Sequence, residues 1–410
     1  MRWDGGRSVT ARGLALGLAL TTGLMAFGRT PAQADPMASI VIDAATGQVL
    51  EQADATRPWH PASLTKLMTV YLAFAAIEAG RMTLDDVLTV SPTAAAQPET
   101  RLGLREGKTI TVEQAIKAVI VRSANDAAVL LSEHIAGSED AFATMMTAKA
   151  QDLGMRRTVF HNATGLPNDG QVTTARDMAL LARALWRDFP QHYRIFSTSS
   201  IQWGGQTLSS YNGLLSAYQG ADGLKTGFTC ASGYNLVGSA MRGDRRLIGV
   251  VLGGRTSAER NGQMVKLLDA GFRTAVVPDL PVIDGLADGD ARPAPQQLSS
   301  AECATLPPMV GVGNGGGRLP GWAVIFGAFP DQGRARKVVD EARKMLQPVL
   351  SHGQPAVIRR QQEGVYGWAA LLVGLEQKEA GAACKHLWSK GAYCLALNPD
   401  VLNSPTALWR

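Results

Sequence analysis

The feature that most constrains how this chain can fold is a break in its texture between about Pro278 and Leu319. Pro, Gly, Ala and Asp dominate there, and the run Gly311-Val312-Gly313-Asn314-Gly315-Gly316-Gly317 would lose too much backbone entropy in a helix or strand. The stretch 278–319 therefore reads as a flexible linker between two foldable blocks, residues 35–277 and 320–400. The chain's 410 residues are ample for two domains, and 46% apolar with 18% charged residues describes a globular protein rather than a disordered one.

The N-terminus has a different character. Arg2, Arg7 and Arg12 form a basic lead, Gly13 to Phe27 is uncharged and largely apolar, and Pro31-Ala32-Gln33-Ala34 contains an A-x-A pattern. That run is short for spanning a bilayer but suits a secretory signal, so residues 1–34 are expected to direct export, with a mature chain from Asp35. No other segment is apolar enough to span a membrane. The same segment carries four arginines against Asp4, so the net charge of +5 leaves only +2 for the remainder. A nucleic-acid partner is not implied.

The first block reads as mixed α/β. Ser39–Asp43 is a strand followed by a turn at Ala45-Thr46-Gly47. Ala62–Ala79 repeats Leu64, Leu67, Met68, Tyr71, Leu72 and Ala75 at helical spacing. Further helices are expected near Val112–Ile120, Ala127–Ile135, Asp140–Leu153 and Ala175–Asp188. A strand pair, Tyr234–Ala240 and Leu247–Gly253, precedes a helix near Glu259–Gly271. The second block alternates as β-α-β-β-α-β, from a strand at Trp322–Phe329 to one at Tyr393–Leu397, a small α+β unit.

Three short motifs carry chemistry. In Pro61-Ala62-Ser63-Leu64-Thr65-Lys66 the serine falls in the first helical turn, where free N–H groups and the dipole favour a developing anion. Lys66 lies on the same face and can reach the Ser63 hydroxyl, serving as base once burial or nearby positive charge deprotonates it. Ser123-Ala124-Asn125 lies in an irregular turn between helices and can aim a hydroxyl and an amide into a cleft. Lys225-Thr226-Gly227 follows the flexible Gly220–Gly223 and leads toward a strand. Its lysine can hold a carboxylate, and Gly227 would let a ligand lie against the backbone. Alone, each motif also reads as a helix cap or a solvated lysine; their order and placement carry the inference. The six histidines lack a serine and carboxylate context, so a His–Asp relay is not supported.

With these motifs in place, residues from about 38 to 275 resemble the low-molecular-mass penicillin-binding proteins of the D-alanyl-D-alanine carboxypeptidase type. Arg57–Thr69, Arg122–Ala128, Phe160–Pro167, Asp222–Thr229 and Ala231–Leu236 extend the likeness. The resemblance implies the penicillin-binding/β-lactamase-like transpeptidase fold. It implies a serine D,D-carboxypeptidase that attacks the D-Ala-D-Ala carbonyl through Ser63, with Lys66 as base and Ser123 passing the proton to the leaving amine. Asn125 would hold the substrate amide, while Lys225, Thr226 and Arg260 would face the terminal carboxylate. The N–H groups of Ser63 and Phe228 would form the oxyanion hole. Phe228 stands where some relatives have histidine, so only its backbone role transfers. β-Lactams are the expected inhibitors, peptidoglycan stem peptides the substrate, and no cofactor or metal is called for. The expected location is the periplasm, in contact with the wall.

The second block resembles a SPOR domain, a peptidoglycan-binding module. The likeness rests on Trp322–Phe329, Leu371–Gly374 and Gly391–Cys394, and it implies glycan strands as a partner. Of the four cysteines, Cys384 and Cys394 are close in sequence within this block and are the preferred bridge; Cys230 reads as a small buried residue. A metal site recruiting His386 would have only three ligands. Two other functions fit parts of the pattern: a β-lactamase, although Gly165–Gly170 supplies no glutamate for deacylation, and a non-catalytic wall-binding protein.

Overall fold

The computed structural model describes residues 37–403, apart from Glu99, Asp290, 300–302, 304–318, Pro330 and 363–364. The expected export signal and the Gly311–Gly317 run lie outside the described residues. Among the described residues no helix is long and apolar enough to cross a membrane.

The first block is built on a five-stranded antiparallel sheet. Its strands are β1 (Ala38–Asp43), β2 (Val49–Ala53), β7 (Ala221–Thr229), β8 (Gly233–Arg242) and β9 (Arg245–Gly254), ordered β2-β1-β9-β8-β7. Alternation of side chains divides the core in two. Ile40, Ile42, Ile248, Val250 and Leu252 face a helical layer. That layer comprises α1 (Lys66–Glu78), α3 (Val112–Arg122), α4 (Asn125–Ala136), α5 (Glu139–Asp152) and α6 (Ala175–Asp188). Val41, Leu247 and Val251 face α9 (Ser257–Arg273) on the other side. Gly249 leaves room there for Met264, whose sulfur would lie 2.6 Å from an added Cβ.

Local signals explain the helix starts. Thr111 and Gln114 form a reciprocal capping box at α3. Thr174 and Thr256 accept from the N–H groups of Asp177 and Glu259 at the starts of α6 and α9. Smaller elements complete the block: the hairpins β3 (Val87–Thr89) with β4 (Thr109–Thr111) and β5 (Ser200–Trp203) with β6 (Gln206–Ser209), and the single turns α2 (Pro92–Ala95), α7 (Pro190–Tyr193) and α8 (Leu214–Ala217).

Three expectations are corrected in this block. Gly220–Gly223 is not a flexible lead-in, because β7 begins at Ala221. Asp222 accepts from Ser239 Oγ at 2.7 Å and pairs with Arg246 at 2.5 Å. The supposed linker is not free over its first half. The Val49 N–H donates to the Pro281 carbonyl, Ile283 is fully buried, and buried Arg176 donates to the Ile283 carbonyl. Further on, the Gln297 and Leu298 N–H groups pair with the carbonyls of Ala231 and Cys230. Cys230 is not a lone buried thiol: it is bonded to Cys303.

The second block has the expected order, with one helix added. It comprises β10 (Trp322–Phe329), α10 (Gln332–Leu346), β11 (Gln354–Gln362), β12 (Val365–Leu375), α11 (Gln377–Ser389), β13 (Leu395–Leu397) and α12 (Pro399–Asn403). The sheet is antiparallel, ordered β11-β12-β10-β13. Cys384 is joined to Cys394, as their spacing suggests. Val324, Phe326 and Leu372 on one face share a core with α10, α11 and α9, so this core runs without a break from the first block into the second. The opposite face is apolar and clusters with Val401 and Leu402 of α12.

Candidate active site

Ser63 sits in a 3₁₀ turn, Ala62–Thr65, that leads directly into α1. The turn begins with a strained backbone, since Ala62 has φ +49°. Two glycines let neighbouring chain come close enough to hold it. A Cβ on Gly165, whose φ is +80°, would lie 1.9 Å from the Ala62 carbonyl. A Cβ on Gly227 would lie 3.1 Å from both the Pro61 carbonyl and the Ser63 nitrogen. Gly227 therefore admits the nucleophile's own turn against the edge strand β7, where the sequence suggested room for a ligand.

Lys66 is fully buried on the first turn of α1. Its Nζ donates to Ser63 Oγ at 3.3 Å, to Asn125 Oδ1 at 2.7 Å and to the Thr164 carbonyl. Burial, reinforced by the charge of Lys225, holds its ammonium well below the usual lysine range, against the opposing pull of Asp126 and Glu139. A lysine held down in this way and placed beside the Ser63 hydroxyl is suited to act as its base once it has lost its extra proton.

The S-x-N pair occupies the junction of two helices. Ser123 ends α3 in the left-handed conformation at φ +57°, and Asn125 opens α4. Asn125 Nδ2 donates to the Pro98 carbonyl at 3.0 Å, so its Oδ1 is turned toward Lys66. Buried Asp126 accepts from the N–H groups of Leu102, Gly103 and Leu104 and fixes the segment that walls this side.

From the opposite wall Lys225 Nζ donates to Ser123 Oγ at 3.0 Å and to the Thr226 carbonyl at 2.7 Å. Burial, and then the charge of Arg260, push its ammonium down to about 7. Thr226 is also buried. Phe228 is exposed, with its ring 4.3 Å from that of Tyr234. Arg260 is buried near the start of α9; its Nε and Nη2 donate to Asn261 Oδ1 at 3.0 and 2.8 Å, and its Nη1 to the Asn235 carbonyl at 3.4 Å. Burial lowers its guanidinium to about 10.

Thus Ser63, Lys66, Ser123, Asn125 and Lys225 are linked by direct side-chain bonds or by the two-residue S-x-N step, while Thr226, Phe228 and Arg260 line the strand side. Three contributors were not singled out from sequence. Asn235 Nδ2 donates to the His60 and Pro61 carbonyls, and its Oδ1 accepts from Gly253 N–H. Thr164 acts through a carbonyl, which leaves no mark on residue identity. Asn162 shapes that loop by accepting from the N–H groups of Thr164 and Gly165. The one available signal was that Asn162 and Asn235 fall in stretches sharing the family likeness.

A serine and lysine at a helix start, a hydroxyl–amide turn across from them and a K-T-G edge strand together define the class of penicillin-binding serine enzymes. The comparisons agree. A model of the D-alanyl-D-alanine carboxypeptidase family matches residues 25–256, and the chain belongs to that family. D-alanyl-D-alanine carboxypeptidase DacC of Escherichia coli is 40% identical over 257 residues, covering 60% of this chain and 64% of that protein. DacA of the same organism is 40% identical over 248 residues, covering 59% and 62%. The match thus takes in slightly less than two thirds of these relatives. Penicillin binding protein 6B from Escherichia coli superposes with TM-score 0.56 at 37% identity, over 60% of this chain and 80% of that one. Penicillin-binding protein D2 from Listeria monocytogenes in its cefotaxime-bound form gives TM-score 0.53 at 33% identity, over 58% and 96%.

Proposed function

We propose that this protein is an exported serine D,D-carboxypeptidase that removes the terminal D-alanine from peptidoglycan stem peptides and is acylated by β-lactams at Ser63. The observation that carries the reading is the hydrogen-bonded line from Ser63 through Lys66 to Asn125, with Ser123 held to Lys225 across the cleft.

In this reading the Ser63 hydroxyl passes its proton to Lys66 as Oγ attacks the penultimate D-alanine carbonyl. The N–H groups of Ser63 and Phe228 stabilise the oxyanion. Ser123, polarised by Lys225, hands its proton to the departing amine and is reprotonated by Lys66, so D-alanine leaves and Lys66 is neutral again. Lys66 then takes a proton from the attacking water and returns it to Ser63 Oγ as the ester breaks, releasing the shortened peptide. Lys225, Thr226 and Arg260 face the carboxylate, and Asn125 the substrate amide.

A β-lactamase needs a base for fast deacylation. Behind the Thr164 loop the Glu139 carboxylate accepts the Ala163 N–H at 2.9 Å. Mass spectrometry after incubation with penicillin and with a D-Ala-D-Ala stem peptide tests the reading. A covalent adduct on Ser63 and released D-alanine are expected, both lost in Ser63→Ala; no adduct and intact peptide on folded protein would overturn it. Residues 320–400, similar to a SPOR domain, would keep the enzyme near its polymer. Retention of the full chain on purified wall sacculi, weakened by substitutions in this block, is the corresponding test.

A further inference from the structure

The second block does not hang from a tether; it is seated on α9, the helix that carries Arg260 and Asn261. The contact is close because small residues line it. A Cβ on Gly262 would lie 2.8 Å from the Trp388 carbonyl of α11, and one on Gly381 of α11 would lie 3.1 Å from the Ala217 carbonyl of α8. Gly213, just before α8, has Leu395 Cδ1 within 3.3 Å and Asn261 Nδ2 within 3.7 Å of where its Cβ would stand. Lys385 forms an ion pair with Asp269, whose Oδ1 also accepts from Tyr218 OH at 2.9 Å and Arg242 Nη2 at 3.3 Å. Leu387 and Trp388 share one buried core with Met264, Leu267 and Leu268.

This seat begins at Gly262, two residues along α9 from Arg260 at the carboxylate-binding end of the cleft. Arg260 is buried, and its described bonds go to Asn261 Oδ1 and the Asn235 carbonyl, neither of them a carboxylate. A buried guanidinium without a described anion beside it suits a substrate carboxylate. Its direction depends on Asn261 and therefore on the first turns of α9. The sheet holds those turns on one side, where a Cβ on Gly254 would lie 2.9 Å from Arg260 Cβ. Trp388 of the second block, against Gly262, holds the other, and Leu395 packs on Gly213 beside Asn261. Tyr393, on the approach to β13, is near enough for its phenol to act on the Arg260 charge.

We propose that the docked C-terminal block is part of the carboxylate-recognition site, clamping α9 so that Asn261 aims Arg260 and thereby setting affinity for the substrate's terminal carboxylate. The claim rests on the carboxypeptidase reading. Arg260 is the group that meets substrate; Asn261, Gly262 and Trp388 are positioning residues.

The test uses the full chain with Lys385→Glu and Gly381→Leu combined, which sets like charges at Asp269 and a bulky side chain against Ala217, away from the catalytic groups. Solution X-ray scattering reads separation of the blocks, and D-alanine release reads KM and kcat. The expected result is a longer particle with KM raised about tenfold and kcat within about twofold of the unaltered protein. A separated particle with unchanged KM, or a fall in kcat at constant KM, overturns the proposal. Affinity of a D-Ala-D-Ala peptide is measured in parallel by calorimetry on the Ser63→Ala background, with and without the two substitutions. Failure of the unaltered enzyme to turn over would then count against the carboxypeptidase reading, while the calorimetric difference still judges the clamp.

Discussion

Asn235 donates from Nδ2 to the carbonyl of His60 at 3.0 Å, tying strand β8 to the turn that presents Ser63. The same amide reaches the Pro61 carbonyl at 3.3 Å and accepts from Gly253 N–H at 3.0 Å, all in a fully buried position. Asn235→Ala leaves two carbonyls and one N–H without that partner. The expected cost is about 2–4 kcal/mol of stability, at 1–3 kcal/mol per unsatisfied buried group with partial relaxation. Thermal unfolding measures it. Acylation by a fluorescent penicillin should slow by about tenfold or more in the folded fraction, because the turn holding Ser63 loses its anchor.

The two buried lysines predict opposite limbs of a pH profile. The depressed Lys66 is increasingly neutral, and so increasingly a base, as pH rises. Lys225, lowered to about 7, is a cation below that pH and loses its charge above it, weakening its hold on a carboxylate. The kcat/KM for D-alanine release should therefore rise and then fall, with the descending limb near 7. In the kcat profile that limb should move to higher pH, since a bound carboxylate favours the charged lysine. Lys225→Arg, which stays charged, should remove the descending limb. Between about 7 and the ordinary lysine range the unfolded chain binds the extra proton, so this residue makes stability increase with pH there. A descending limb retained in Lys225→Arg would refute the assignment.

Gly227→Ala tests whether the glycine serves the nucleophile turn. Its Cβ would meet the Pro61 carbonyl and the Ser63 nitrogen at 3.1 Å, a spacing that one of them must yield. The backbone around Gly227 is ordinary strand, so the fold should survive. Acylation should fall by about 10- to 100-fold, as expected for displacing a nucleophile by a few tenths of an ångström to 1 Å.

Cys303→Ser should lower thermal stability more than it lowers activity. The Cys230–Cys303 bridge closes a span of 73 residues, for which the chain-entropy argument gives an upper bound of about 4 kcal/mol. The Gln297 and Leu298 backbone bonds to Ala231 and Cys230 remain to hold the segment to the β7–β8 turn. Scanning calorimetry should show a lower melting temperature, with kcat/KM within about threefold; unchanged melting would mean that the bridge constrains nothing.

Much of the site was legible in the sequence because its chemistry needs particular side chains at short spacings. Ser63 and Lys66 are three residues apart on a helix start, and Ser123 and Asn125 flank a helix junction. Lys225 and Thr226 lie on one strand. The paired Cys384 and Cys394 were legible for the same reason: they are local. The segment after Pro278 was misread because its composition is that of a linker, while what holds Ile283 and Gln297 in place is shape and backbone bonding supplied by Val49, Arg176 and Ala231.

The sequence by itself determined the main helices and strands, their order and the identities of the groups that carry the chemistry, since these depend on neighbours a few residues away. Only the tertiary structure decided that Asn235 pins the Ser63 turn from 174 residues away, that Gly227 makes room for that turn, and that Lys66 leans on the Thr164 carbonyl. It also decided the Cys230–Cys303 pairing and the seating of α11 on α9. Those outcomes depend on close approach between distant segments and on backbone atoms common to every residue, and neither leaves a local pattern to read.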